Sequence, residues 1–162
     1  MRRPQPRLTL AFAALALLVA GPPLLAVPGA AAKPARTATR LHPESGLRVI
    51  PLTVRGHLFA VELAATPAQQ EKGLMFRRKM GANEGMLFPM NPPRQAYFWM
   101  RNTLIPLDII YIGPDRRILN VVQARPLDET PLPSAGKAAA VLELNAGRAA
   151  ELGIGAGDVV SW

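Results

Sequence analysis

Apolar and polar positions alternate along most of this chain with a period of two, and that pattern predicts strands. Leu47, Val49 and Leu52, then Leu58, Ala60, Val61 and Leu63, flank Arg55-Gly56-His57 and read as an antiparallel hairpin. Thr66-Pro67-Ala68-Gln69 combines a capping side chain, a proline at the first helical position and a glutamine three residues after the cap. It predicts a short helix over 67–72, ended by Gly73. The apolar run 85–90 predicts a strand that Asn91-Pro92-Pro93 closes. Runs at 107–112 and 118–123, joined by Gly113-Pro114-Asp115-Arg116, predict a second hairpin. Three prolines within 125–137 suggest an extended surface loop, followed by a buried-type strand over 138–144. Asn145 is placed to cap a helix over 146–152, and 159–162 reads as a last strand. Eight candidate strands and two short helices contain too little helix to cover a parallel sheet. They predict an α+β, mainly β domain, a small, partly closed barrel of antiparallel and mixed strands, because closure removes exposed edges.

Within that pattern, residues 97–108 hold three of the chain's nine aromatics together with Arg101, Asn102, Thr103 and Asp108. The segment reads as a strand, a polar corner at Pro106 and a second strand. Alternation sends Tyr97, Trp99 and Arg101 to one face and Phe98 and Met100 to the other. One face packs and the other is left to bind something.

Composition changes the picture at the amino terminus. Arg2, Arg3 and Arg7, an apolar run over 8–20 and Ala30-Ala31-Ala32 form the three parts of a secretory signal peptide over 1–32. Gly21-Pro22-Pro23 interrupts a run that otherwise approaches the length of a membrane span. An uncleaved signal is thus the one membrane attachment the sequence suggests, and the expected location is periplasmic or extracellular. Residues 33–45 read as a flexible tether and 46–162 as a single compact domain. The chain contains no cysteine, so an oxidising destination brings no disulfide, and thiolate chemistry is excluded. The formal net charge of +8 drops to +5 without the three signal arginines. What remains favours anionic partners without forming a nucleic-acid module, and the domain is expected to be a monomer.

Candidate chemistry is sparse. His57 lies in a predicted turn and His42 in the tether, which leaves no ligand set for zinc, so no catalytic residue, metal or cofactor is assigned. Asp108 and Glu143 are the carboxylates embedded in apolar runs. Facing one cleft they would suit an acid and base pair of a hydrolase; structurally, Asp108 would pair with Arg101 or cap backbone donors around Pro106. Met75, Met80, Met86, Met90 and Met100 fall within twenty-six residues, which offers soft ligands for Cu(I) or adaptable filling for a small core. The reading carried forward is a non-catalytic binding module for a small polar or anionic ligand or a partner peptide. Trp99 forms its wall, Arg101, Asn102 and Arg77 its donors, and Asp108, Glu143 and Asn145 the remaining polar groups.

Four ordered motifs closely resemble one family: Glu71-Lys72-Gly73-Leu74-Met75-Phe76-Arg77; Gly85-Met86-Leu87-Phe88; Phe98-Trp99-Met100-Arg101-Asn102-Thr103-Leu104-Ile105-Pro106-Leu107-Asp108; and Leu142-Glu143-Leu144-Asn145-Ala146-Gly147. They are similar to the ancient-conserved-region proteins with the domain of unknown function one-nine-two, also called UPF zero-one-two-seven. The resemblance covers about 46–162 and implies a compact β-rich domain, often behind a signal peptide. It brings no activity, substrate or cofactor with it. Arg101 stands where a lysine is common in that family, and a guanidinium can pair bidentately where an ammonium cannot.

Overall fold

The computed structural model describes residues 40–162. The signal segment and most of the tether lie outside the described residues. Seven strands and two short helices follow one another: β1 (Val49–Val54), β2 (His57–Leu63), α1 (Pro67–Lys72), β3 (Glu84–Phe98), β4 (Leu107–Ile112), β5 (Ile118–Ala124), β6 (Leu132–Asn145), α2 (Arg148–Glu151) and β7 (Val160–Ser161). The strands form one mixed sheet in the order β5-β4-β6-β3-β2-β1-β7. It is curled into a half-barrel, and a bridge between Arg117 and Val159 links its two outer strands.

Both hairpins form as the patterning predicts. Arg55 and Gly56 carry positive φ angles of 49° and 78°, the left-handed pair of a tight turn whose twist matches its strands. The helix α1 is held by its capping box: the Thr66 hydroxyl accepts from the Gln69 N–H at 3.3 Å, and Gln69 Oε1 accepts from the Thr66 N–H at 2.9 Å. Two expectations are corrected. Asn91-Pro92-Pro93 does not close the third strand; β3 runs on to Phe98 through a register shift between Pro89 and Arg94, an irregularity that absorbs prolines unable to donate to the ladder. The proline-rich stretch 125–137 is a loop only in its first half, because β6 begins at Leu132 and pairs with that extended half of β3.

One pairing positions the functional region. β2 and β3 are parallel, with Val61 opposite Gly85 and Leu63 opposite Leu87, whereas the other pairs are antiparallel. A parallel pair needs a long crossover, and residues 64–83, including α1, supply it across one face of the sheet. Gly85 admits nothing larger at this junction, since an added Cβ would lie 2.5 Å from the Glu143 carbonyl oxygen.

Alternation divides the core in two. Leu52, Val54, Phe59, Val61, Leu87, Ile110, Leu142, Leu144 and Val160 form one cluster, within the curl. Leu74, Met86, Phe88, Met90, Met100, Ile105, Ile109, Tyr111 and Val141 form the other, on the opposite face, beneath the crossover and the segment 99–106. The methionine concentration belongs here: Met86, Met90 and Met100 are buried in this second cluster, and Met80 packs against it. Its cover consists of the short helix α1 and loops, which close a face less completely than another sheet would.

A cleft floored by a buried glutamate

A cleft of about 790 Å³ opens in that cover. One wall is α1 and the residues after it, from Ala68 to Met75. The other is the end of β3 and the turn that follows, from Arg94 to Thr103. Phe88 and Met90 lie beneath, and Glu143 alone reaches it from β6.

The 97–103 segment takes the predicted shape in part. Tyr97, Trp99 and Arg101 are exposed, while Met100 is buried and Phe98 half-buried, as the alternation requires. The strand ends at Phe98, and a turn closed by the Thr103 N–H on the Met100 carbonyl at 3.0 Å follows. Asn102 sits in that turn with φ of 55°, a left-handed conformation that its short amide side chain tolerates. Its carbonyl accepts from the Phe76 N–H at 2.8 Å and its Nδ2 reaches Met75 Sδ at 3.8 Å, so the two walls are tied at one end. Trp99, 55% exposed, and Tyr97, 65% exposed, leave flat apolar area beside the opening. Lys72, Arg94 and Arg101 add three cations against the exposed carboxylate of Glu71.

Glu143 is the unusual member. β6 is a central strand flanked by β3 and β4, and Glu143 lies opposite Met86 on one side and Ile109 on the other, both in the outer core cluster. Only 5% of it is exposed, and its carboxyl group, which lines the cleft, receives no hydrogen bond from the described residues. Burial disfavours the ionised form and pushes its pKa up to about 8, so at neutral pH it is a protonated acid with a hydrogen to donate. The neighbouring Tyr111 phenol donates elsewhere, to the Leu132 carbonyl at 2.5 Å, and burial raises its pKa as well.

Three predicted site residues are elsewhere. Asp108 lies opposite Leu144, on the face away from Ile109 and Glu143, and accepts from the Gly147 N–H at 3.0 Å and the Ala149 N–H at 2.8 Å. It therefore caps the start of α2, forms no pair with Arg101 and cannot share a cleft with Glu143. The two carboxylates fall on opposite faces because their positions on adjacent antiparallel strands differ by one in register. Arg77 is buried and bidentate on Glu62, at 2.8 and 3.1 Å, with Glu44 3.3 Å from its Nε. Burial, the largest single effect, works against its charge, and Glu62 together with Glu44 and Glu84 outweighs it and raises the pKa. Asn145 does not cap α2, whose N-cap is Gly147; it donates to the Met80 and Gly81 carbonyls at 3.2 and 2.9 Å and holds the end of the crossover. Thus Trp99, Arg101, Asn102 and Glu143 come together, and Arg77, Asp108 and Asn145 do not.

Sequence reasoning missed Glu62, although the criterion that found Glu143 applies to it: a lone acid inside an apolar strand, Phe59-Ala60-Val61-Glu62-Leu63-Ala64. Its carboxylate also accepts from the Ser45 hydroxyl and lies 3.6 Å from His42 Nε2. Residues 40–45, read as tether, are consequently fastened to the domain, with Leu41 bridged to Arg48. Lys72 and Arg94 were missed for a different reason, since each is an ordinary surface cation until the crossover folds back beside β3.

Comparisons with known proteins agree with this architecture. No curated protein matches the chain. A crystal structure of a protein of unknown function from Novosphingobium aromaticivorans is 57% identical, with a TM-score of 0.75 over 78% of this chain and 94% of that one. A second, from Sinorhizobium meliloti and described provisionally as a transcription regulator, is 38% identical, with a TM-score of 0.69 over 71% of this chain and 94% of that one. Among the described residues no helix is long and apolar enough to cross a membrane, and no cluster of three or more metal-ligating His, Cys, Asp or Glu side chains occurs. The family model described as uncharacterized ACR, the domain of unknown function DUF192, matches residues 50–162, and the chain belongs to that family.

Proposed function

We propose that this domain is a non-catalytic binding module, working outside the cytoplasm, that takes a small polar or anionic ligand into the cleft between α1 and the 97–103 segment. The observation that carries this reading is Glu143. This acid sits in a central strand, 5% exposed and without a hydrogen-bond partner among the described residues, and it lines the cleft. A concave site with aromatic walls and a few convergent polar groups is the usual form of a ligand pocket. The cations Lys72, Arg94 and Arg101 at the opening favour an anionic guest. With Asp108 on the other face, the expected acid and base pair of Asp108 and Glu143 does not form, which favours recognition over hydrolysis.

The test is a thermal-shift screen of polar and anionic metabolites against the wild type, Trp99→Ala and Arg101→Met. Compounds that raise the melting temperature of the wild type and not of the variants support the site. A screen in which every stabilising compound acts equally on all three proteins would overturn it. Mass spectrometry of the extracytoplasmic fraction tests the location: the expected amino terminus follows Ala32, and a chain that retains Met1 in membrane pellets contradicts it.

A further inference from the structure

Resting on that reading, we infer that the ligand is a ring-bearing carboxylate and that Glu143 holds it in the protonated form, so that binding is coupled to proton uptake. Three features of the cleft specify the class. Trp99 and Tyr97 present flat apolar faces, which a sugar or aromatic ring covers and a simple inorganic anion does not. Arg94 and Arg101 belong to opposite ends of the β3–turn wall and supply forked donors, geometry that suits a carboxylate. The floor supplies one carboxyl group without an internal partner, and beside an anionic guest that group is compatible only with its neutral, donating form, because two carboxylates in one low-dielectric site repel.

The surroundings of Glu143 contain nothing else to set its charge state. β3 and β4 place Met86 and Ile109 directly across from it. The Tyr111 phenol, whose pKa burial and Glu143 both raise, is neutral and bonded to Leu132. Lys72 and Glu71 on α1, Arg94 on β3 and Arg101 in the turn are exposed at the cleft opening. A variant at Glu143 separates its contribution from theirs.

The experiment is calorimetric titration of the protein with D-glucuronate and with benzoate, both fully ionised across the pH range used. It is run below and above the Glu143 midpoint and in two buffers of different ionisation enthalpy. Expected are uptake of about half a proton at the midpoint, rising toward one proton above it, and an affinity that falls about tenfold per pH unit well above the midpoint. Glu143→Gln, which keeps a donor and cannot ionise, should bind at low pH like the wild type, take up no proton and lose the steep fall in affinity above the midpoint. Tight binding of either probe with no proton uptake, or the same pH profile in Glu143→Gln, would overturn the coupling and leave the recognition site standing. If neither carboxylate binds at millimolar concentration while an uncharged or cationic compound protects the cleft in the thermal screen, the ligand class is wrong. If no compound depends on Trp99 or Arg101, the binding reading itself fails.

Discussion

Glu62 and Glu143 are 2% and 5% exposed, both in interior strands of one sheet, and their surroundings are opposite. Glu62 meets a bidentate Arg77 and the Ser45 hydroxyl, with His42 near by, so its charge is balanced and fastens residues 40–45 to the domain. Glu143 has apolar neighbours and an opening. A buried acid serves structure where the chain supplies its partner, and its lack of one marks the place where something outside the chain can supply it. The same contrast separates the two cations expected at the site: Arg77 is committed to a buried pair, and Arg101 is exposed beside the cleft.

Breaking the satisfied side should have the largest effect. Arg77→Met strands the Glu62 charge and should cost about 3–5 kcal/mol in urea unfolding, as removal of one member of a buried pair does. Adding Glu62→Leu should restore most of that stability; a single variant as stable as the wild type would mean that the pair is solvated.

The unsatisfied side should show itself through pH. An unfolded glutamate titrates near 4.3, whereas folding pushes Glu143 up to about 8. Between those values the unfolded chain has released the proton that the folded chain still holds, so Glu143 makes stability fall as pH rises, by about 1.4 kcal/mol per unit. Below and above the window it contributes no slope. Measured as a difference between wild type and Glu143→Gln, the slope should be present across that window; parallel curves would place Glu143 in an ordinary solvated environment.

Smaller effects sharpen the assignment of the remaining residues. Asp108→Ala removes both acceptors at the start of α2 and should cost about 1–2 kcal/mol, as lost caps do. Arg101→Met and Trp99→Ala, at exposed positions, should shift stability by no more than about 0.5 kcal/mol while abolishing ligand-dependent stabilisation. A loss from Arg101→Met as large as that from Asp108→Ala would revive the pairing that the structure replaces with backbone bonds.

Strand and turn chemistry was legible where it is local. The Arg55-Gly56 turn, the Thr66–Gln69 box and the β4–β5 hairpin each depend on a few adjacent residues. The extension of β3 beyond Pro93 was not, because β6 supplies its ladder from forty residues away and a register shift accommodates the prolines. The site followed the same rule. Trp99, Arg101 and Asn102 share one segment, and the exposure of Trp99 and Arg101 could be read from alternation. The separation of Asp108 from Glu143 depends on the β4–β6 register, and the burial of Arg77 on the partner that the crossover brings to it, neither of which patterning along one chain reveals.

The most direct test of the account is the titration of Glu143 itself, followed through the side-chain carboxyl carbon by NMR in the wild-type protein. The account predicts a single midpoint near 8 that moves upward when a carboxylate ligand occupies the cleft. A midpoint in the ordinary glutamate range, unmoved by any compound that protects the protein, would show an ionised surface acid in place of the neutral donor at the cleft floor, and would contradict it.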